Sequence, residues 1–252
     1  MTSLHTLLQR LDDWMQPSTF IDHAPNGLQV EGRDSVARLA LGVTASADVI
    51  DQSVAWGADA LLVHHGYFWK RESPALTGIK GQRVRKLIQN QISLLAYHLP
   101  LDCHAEFGNN KTLLDQLGLH GGKPVEGENG LMWSIFLGPD QTIDSLAKRV
   151  AEKLGRDPLV IESSRAKKSV SHLMICTGGA QDYLNKAYMY GADVYLSGEI
   201  SERTTHEARE LGVHYIAAGH HATERYGVQA LGEKISRELD LEVCFFDDHN
   251  PA

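Results

Sequence analysis

Cysteine is scarce. Cys103, Cys176 and Cys244 are the three in 252 residues. They are far apart and odd in number, so they form neither a Cys-x-x-Cys metal pair nor a disulfide framework. Long apolar runs are absent too, and none approaches the roughly 18 residues that a membrane helix needs. The N-terminus has no basic segment followed by an apolar one, so no secretory leader is expected. These absences lead to the expectation of a reduced, cytoplasmic protein with no membrane partner. An excess of basic charge is also missing. There are 24 basic against 32 acidic side chains, a net charge of −8, and no basic stripe. Nucleic acid is therefore not expected as a partner. Neither a Gly-x-Ser-x-Gly elbow nor a cysteine-nucleophile pattern occurs.

What is there is ordinary in bulk and unusual in one residue. An apolar fraction of 42% and a charged fraction of 22% fit a globular chain. The length suits one large domain or two small lobes. Histidine stands out: there are 13, several of them clustered beside carboxylates.

The elements alternate. Residues 3–15 predict an amphipathic helix capped by Ser3, and 16–35 read as loop, with Pro17, Pro25, Asn26-Gly27 and Gly32. A strand at 36–43 and a helix at 47–56 closed by Gly57 follow. Buried strands are expected at 58–63 and 92–97, with helices at 82–90 and 109–117. The second half predicts strands at 131–137, 170–176, 193–196, 213–218 and 242–246. Its helices fall at 142–154, before Tyr190, at 202–211 and at 222–239. This order predicts an α/β fold of two similar lobes, 1–127 and 128–252, with mixed, largely parallel sheets flanked by helices. An internal repeat supports it: VTASADVIDQSVAWGADALLVHHG (43–66) lines up with CTGGAQDYLNKAYMYGADVYLSGE (176–199). The following strands, 92–102 and 213–224, match more loosely.

The repeat places the histidines. Ligands of α/β sheets gather at the carboxyl ends of strands. His64-His65 end one predicted strand, His98-x-x-x-Asp102 follows another, and Gly219-His220-His221-Ala222-Thr223-Glu224 follows a third. Each pattern alone has a plain reading: packed histidines, or a glutamate at a helix start. Three imidazole-plus-carboxylate clusters at three strand ends point instead to two divalent cations sharing a glutamate. His220 and His221 compete for one position. His98 fits a supporting role behind the ligands. Glu199 reads as the counterpart of His65 in the repeat and either lines the same cleft or caps a helix. Cys103, beside Asp102, reads as a packed thiol. Thr177-Gly178-Gly179 is no Walker motif and reads as a turn, the alternative being a phosphate cradle at a helix start. Lys80, Arg83, Arg85 and Lys86 read as a solvated helix face, the alternative being contact with a phosphate.

The segments Pro25-Asn-Gly-Leu-Gln-Val30, His64-His-Gly66, His98-Leu-Pro-Leu-Asp102 and Gly219-His-His-Ala-Thr-Glu224 resemble the Nif-three-like family. Its members are also called GTP cyclohydrolase 1 type 2 homologues. The resemblance runs from about residue 4 to 252 and is closest to the short bacterial branch without an inserted domain. It implies a toroidal homohexamer with a dinuclear metal site between two α/β lobes. It also implies the ligand set His64, His65, Asp102, His220 and Glu224, the cations being Zn, Mn, Fe, Co or Ni. The function expected is a metal-dependent hydrolase acting on a small nucleotide-like or heterocyclic substrate, GTP or damaged nucleotides among them. His98 and Glu199 are the candidate proton carriers. The competing expectation is a metal-binding regulatory or chaperone-like ring without turnover.

Overall fold

Side chains at the helix mouths set the first elements. In the computed structural model, which describes all 252 residues, a short strand β1 (Thr2–Ser3) leads into α1 (Leu4–Met15). The Ser3 hydroxyl accepts from Thr6 N at 3.0 Å, satisfying one of the donors that a helix start leaves open. Leu4, Leu7, Leu11 and Met15 form its buried stripe. Next come β2 (Gly27–Val30), β3 (Ser35–Val36) and β4 (Arg38–Thr44). Helix α2 (Ala47–Trp56) starts on Ser46, which accepts from Val49 N, and stops at Gly57, whose φ of 74° suits glycine. Strand β5 (Ala60–His65), α3 (Gly78–Gln89), β6 (Ser93–Ala96) and a one-turn helix α4 (Leu99–Asp102) complete the first stretch.

The order continues with α5 (Asn109–Gln116), β7 (Lys123–Pro124), β8 (Trp133–Phe136), α6 (Ile143–Leu154), β9 (Leu159–Ile161) and β10 (His172–Cys176). Then come α7 (Leu184–Met189), β11 (Val194–Ser197), α8 (Glu202–Leu211), β12 (His214–Ala217), α9 (His220–Leu239) and β13 (Glu242–Phe245).

Two compact units result: Met1–Phe107 with Val228–His249, and Gly108–Gly227 with Asn250–Ala252. The expected single break at 127/128 therefore gives way to three, after Phe107, Gly227 and His249. Leu113 and Leu114 of α5, with Leu117 just after it, join the second unit's core. β13 returns to the first unit, where it pairs with β4. The first unit's sheet runs β13-β4-β5-β6-β2. It is parallel except for the β2–β6 pair. The second runs β7-β8-β10-β11-β12-β9, and only its β10–β11 and β11–β12 pairs are parallel. The expectation of largely parallel sheets thus holds for the first unit and not for the second. Each sheet is buried on both faces, by one apolar cluster per face, which is the condition for parallel strands.

Three local expectations need correction. The stretch 16–35 holds strand β2, whose hydrogen-bonding partner β6 lies far along the chain, so local turn signals hid it. Strand β9 was not expected; three residues carry too little periodicity. Helix α9 begins at His220, not Ala222.

The repeat is structural. β4-α2-β5-α3-β6 in the first unit corresponds to β10-α7-β11-α8-β12 in the second. Glu199 is not the expected counterpart of His65: aligned residue for residue, His65 falls on Gly198, and Glu199 lies one residue further on, opposite Gly66. The shared Gly-Ala-Asp has one use in both copies. Asp59 accepts from Ala37 N and Arg38 N at 2.8 and 2.9 Å and from Arg33. Asp193 accepts from Ser171 N and His172 N at 2.9 and 3.1 Å and from Lys167. Each acid ties the entry of its strand to that of the preceding one. Burial alone would raise Asp193, but the Ser171 and His172 amides and Lys167 outweigh it and hold the carboxyl at about 2.

Candidate metal centre

In the first unit, His64 and His65 are the last residues of β5, a strand hydrogen-bonded on both sides. Neighbours on a strand point apart, but here the strand ends and the two rings converge, with centroids 4.4 Å apart. His64 is wholly buried. Its Nδ1 lies 3.0 Å from Tyr97 O. A carbonyl only accepts, so Nδ1 carries the proton and Nε2 keeps its lone pair. That Nε2 faces Asp102 Oδ1 at 3.4 Å. Two electron-rich atoms face each other, an arrangement that calls for a cation or a proton between them. Asp102 is brought there by α4, where Pro100 occupies the first turn. His65 Nδ1 lies 3.3 Å from Thr44 Oγ1.

His98 completes this cluster. Its ring centroid is 5.1 Å from that of His64 and 5.7 Å from that of His65. The ligand atoms of all three imidazoles lie within 4.8 Å of one another. Two residues that the sequence did not single out as functional hold it. Asp22 accepts from His98 Nδ1 at 2.6 Å and from Leu99 N at 2.9 Å, and Asn26 Oδ1 accepts from His98 N at 2.8 Å. Burial would raise the Asp22 carboxyl, but His98, Asn26 and the Leu99 amide hold it far below the usual carboxylate range. Gln29 braces the turn after His65: its Oε1 accepts from Tyr67 N at 2.7 Å, and a Cβ on Gly66 would stand 2.2 Å from that oxygen. The Pro25-Asn-Gly-Leu-Gln segment is therefore the frame of the cluster. The polar residues in a stretch rich in turn signals were the clue to it. Trp69 packs edge-on against His98, with centroids 5.0 Å apart.

The second unit carries a smaller cluster. His220 and Glu224 lie four residues apart in the first turns of α9 and share a face. His220 Nδ1 lies 2.7 Å from Glu199 Oε1, and its Nε2 lies 3.1 Å from Glu224 Oε2. Burial alone would lower this imidazole, but Glu224 and Glu199 outweigh it and push it up to about 9. Thr177-Gly178-Gly179 is a turn built for close approach. Gly178 has φ +68°, and a Cβ there would stand 2.0 Å from Glu224 Oε1. Gly178 N donates to Thr223 Oγ1 at 3.0 Å, joining the turn to α9.

Other sequence candidates fall outside the clusters. His221 is buried, and its N–H donates to Ala252 O at 3.2 Å. Burial, with Asp102 and Asp22 nearby, pushes the Cys103 thiol up to about 12, which fits a packed, unreactive group. The basic face of α3 is not uniformly solvated: Lys80 is buried against Ser73 O and Glu72, and Lys86 pairs with Asp51.

The fold and site thus define a two-unit mixed α/β protein with histidine–carboxylate groups at strand ends that can hold metal. The chain belongs to the Duf34/NIF3 (NGG1p interacting factor 3) family, whose model matches residues 2–251. The "GTP cyclohydrolase 1 type 2 homolog" of Allochromatium vinosum is 49% identical over 100% of this chain and 98% of its own length. The protein of the same name from Pseudomonas aeruginosa is 47% identical, over 99% of both. Among solved structures, protein ybgI superposes with a TM-score of 0.94 at 42% identity, over 100% of both chains. TTHA1606 from Thermus thermophilus does so at 0.88 and 30%, again over 100% of both. No helix is long and apolar enough to cross a membrane.

Proposed function

We propose that His64, His65, Asp102, His220 and Glu224 together hold two divalent cations, and that the protein hydrolyses a small nucleotide-like or heterocyclic substrate. The observation that supports this best occurs once in each unit. An imidazole has its Nδ1–H committed to an acceptor, Tyr97 O or Glu199, while its Nε2 is aimed at a carboxylate oxygen, on Asp102 or Glu224. Fixing the far nitrogen is what protein metal sites do to orient a histidine ligand. The donor set of imidazole and carboxylate admits Zn, Mn, Fe, Co or Ni.

When bound, such cations polarise a substrate oxygen and make water more acidic. The side chains divide the remaining work. Glu199, engaged with His220, orients that ring. His98, fixed by Asp22, presents Nε2 beside His64 and His65 as the group that passes a proton to or from substrate. The name of the relatives supports one reaction class, attack of water on purine C8 with opening of the imidazole ring. The family resemblance supports assembly as a homohexameric ring, which sedimentation of the purified chain measures.

The test is elemental analysis of the purified protein joined to a turnover screen with GTP, damaged nucleotides, phosphodiesters and small amides. Two metal equivalents, with turnover abolished by Glu224→Ala, support the reading. A protein that takes up no cation sinks it. Stoichiometric metal with no turnover on any class replaces the hydrolase by a regulatory or chaperone-like ring.

A further inference from the structure

We propose that the cavity between α2 and α3 binds the phosphate group of a small ligand, with Arg83 as its main contact and Lys86 as the second cation. The site lies within the first unit and does not depend on the metal reading. The cavity measures about 270 Å³ and is lined by Ile50, Asp51, Ile79, Gln82, Arg83 and Lys86, with Ala47 at the mouth of α2. Whole-ligand pockets run to roughly 300–1,000 Å³, so this one suits a group and not an entire nucleotide.

Arg83 carries the assignment. Its Nε is buried and has no hydrogen-bond acceptor, although buried donors are almost always satisfied. The guanidinium is not loose. It reaches the Tyr67 hydroxyl, which is itself fixed by donating to Ala45 O at 2.5 Å. A planar cation held from one side, with a donor left over, is prepared for an oxyanion. The acid in the wall, Asp51, is already paired with Lys86, so Arg83 leaves the cavity net positive. Ile50 and Ile79 offer apolar wall to whatever bears the phosphate. Position agrees with use: Ala47 follows the end of β4 and Tyr67 follows the end of β5, the carboxyl ends where α/β sheets take their ligands.

Calorimetric titration of metal-free protein with inorganic phosphate, at low salt in a phosphate-free buffer, tests this. Wild type binds. Arg83→Gln weakens binding by about tenfold or more, the worth of one charge-assisted hydrogen bond. Gln82→Glu, at an exposed position that tolerates substitution, weakens it by about threefold through a repelling charge, and thermal unfolding shows both variants folded. Should Arg83→Gln fail to fold, Gln82→Glu decides. Guanosine monophosphate binding tighter than phosphate, with the same dependence on Arg83, identifies a substrate tail; equal affinities identify free phosphate. The proposal is overturned if wild type does not bind, if Arg83→Gln or Gln82→Glu binds like wild type, or if binding appears only with added metal and vanishes in His64→Ala.

Discussion

The two units apply one strand-end template with different stiffness. In the first, His64 is fully buried and its Nδ1–H is fixed by a backbone carbonyl. In the second, the His220 side chain is 29% exposed and is fixed by the carboxylate of Glu199. A backbone acceptor cannot move without moving the sheet, whereas a glutamate can change rotamer. The first cluster is thus built as a rigid seat, and the second as an adjustable one. The difference follows from the repeat: where the first unit ends its strand with two imidazoles, the second has Ser197-Gly198 and places its acid one residue later.

The largest effect expected from breaking this comparison is on metal. His64→Ala and His220→Ala should each weaken cation binding by more than about 100-fold, beyond the 10–100-fold typical of supporting residues. Competition with a chelator measures it. Equal, small losses in both variants would remove the shared-site reading.

The next effect separates the turns. Gly178→Ala puts a methyl against Glu224 at positive φ and should cost about 1–3 kcal/mol in denaturant unfolding. The first unit has Ala45 at the equivalent position, and Ala45→Gly should cost only about 0.5–1 kcal/mol. A smaller effect tests the adjustable seat. Glu199→Gln should lower metal affinity about tenfold, while Asp22→Asn, acting on His98, should leave affinity within a few-fold and lower turnover.

The smallest effect concerns acid stability. Asp193 has its folded-state pKa depressed to about 2 from a usual 3.8. Its stabilisation is therefore present above pH about 4 and is lost as pH falls through 2. Asp193→Asn should flatten that part of the stability curve, as followed by circular dichroism between pH 5 and 2. An unchanged acid limb would show that the strand-entry bonds are not electrostatic.

Much of this was legible beforehand because it is local. Ser3 caps α1 as its spacing from the apolar stripe suggested, and Gly57 ends α2 where periodicity stops. The Gly-Ala-Asp repeat predicted equivalent strands, and both copies of its acid do the same work. The histidine clusters were visible as adjacent residue types. Strand β2 was hidden because its partner β6 is remote. Asp22 was hidden because nothing in its neighbourhood reveals that a carboxylate there meets His98.

By itself the sequence determined the alternation of helix and strand, the strand ends where imidazoles accumulate and the family to which they point. These depend on side-chain period, caps and turn chemistry within a few residues. Only the tertiary structure decided which nitrogen of His64 and His220 is tied down, that Asp22 and Asn26 frame His98, and that α5 and β13 change units. Those outcomes are set by burial and by hydrogen bonds between segments tens of residues apart or more, and no local pattern encodes such distances.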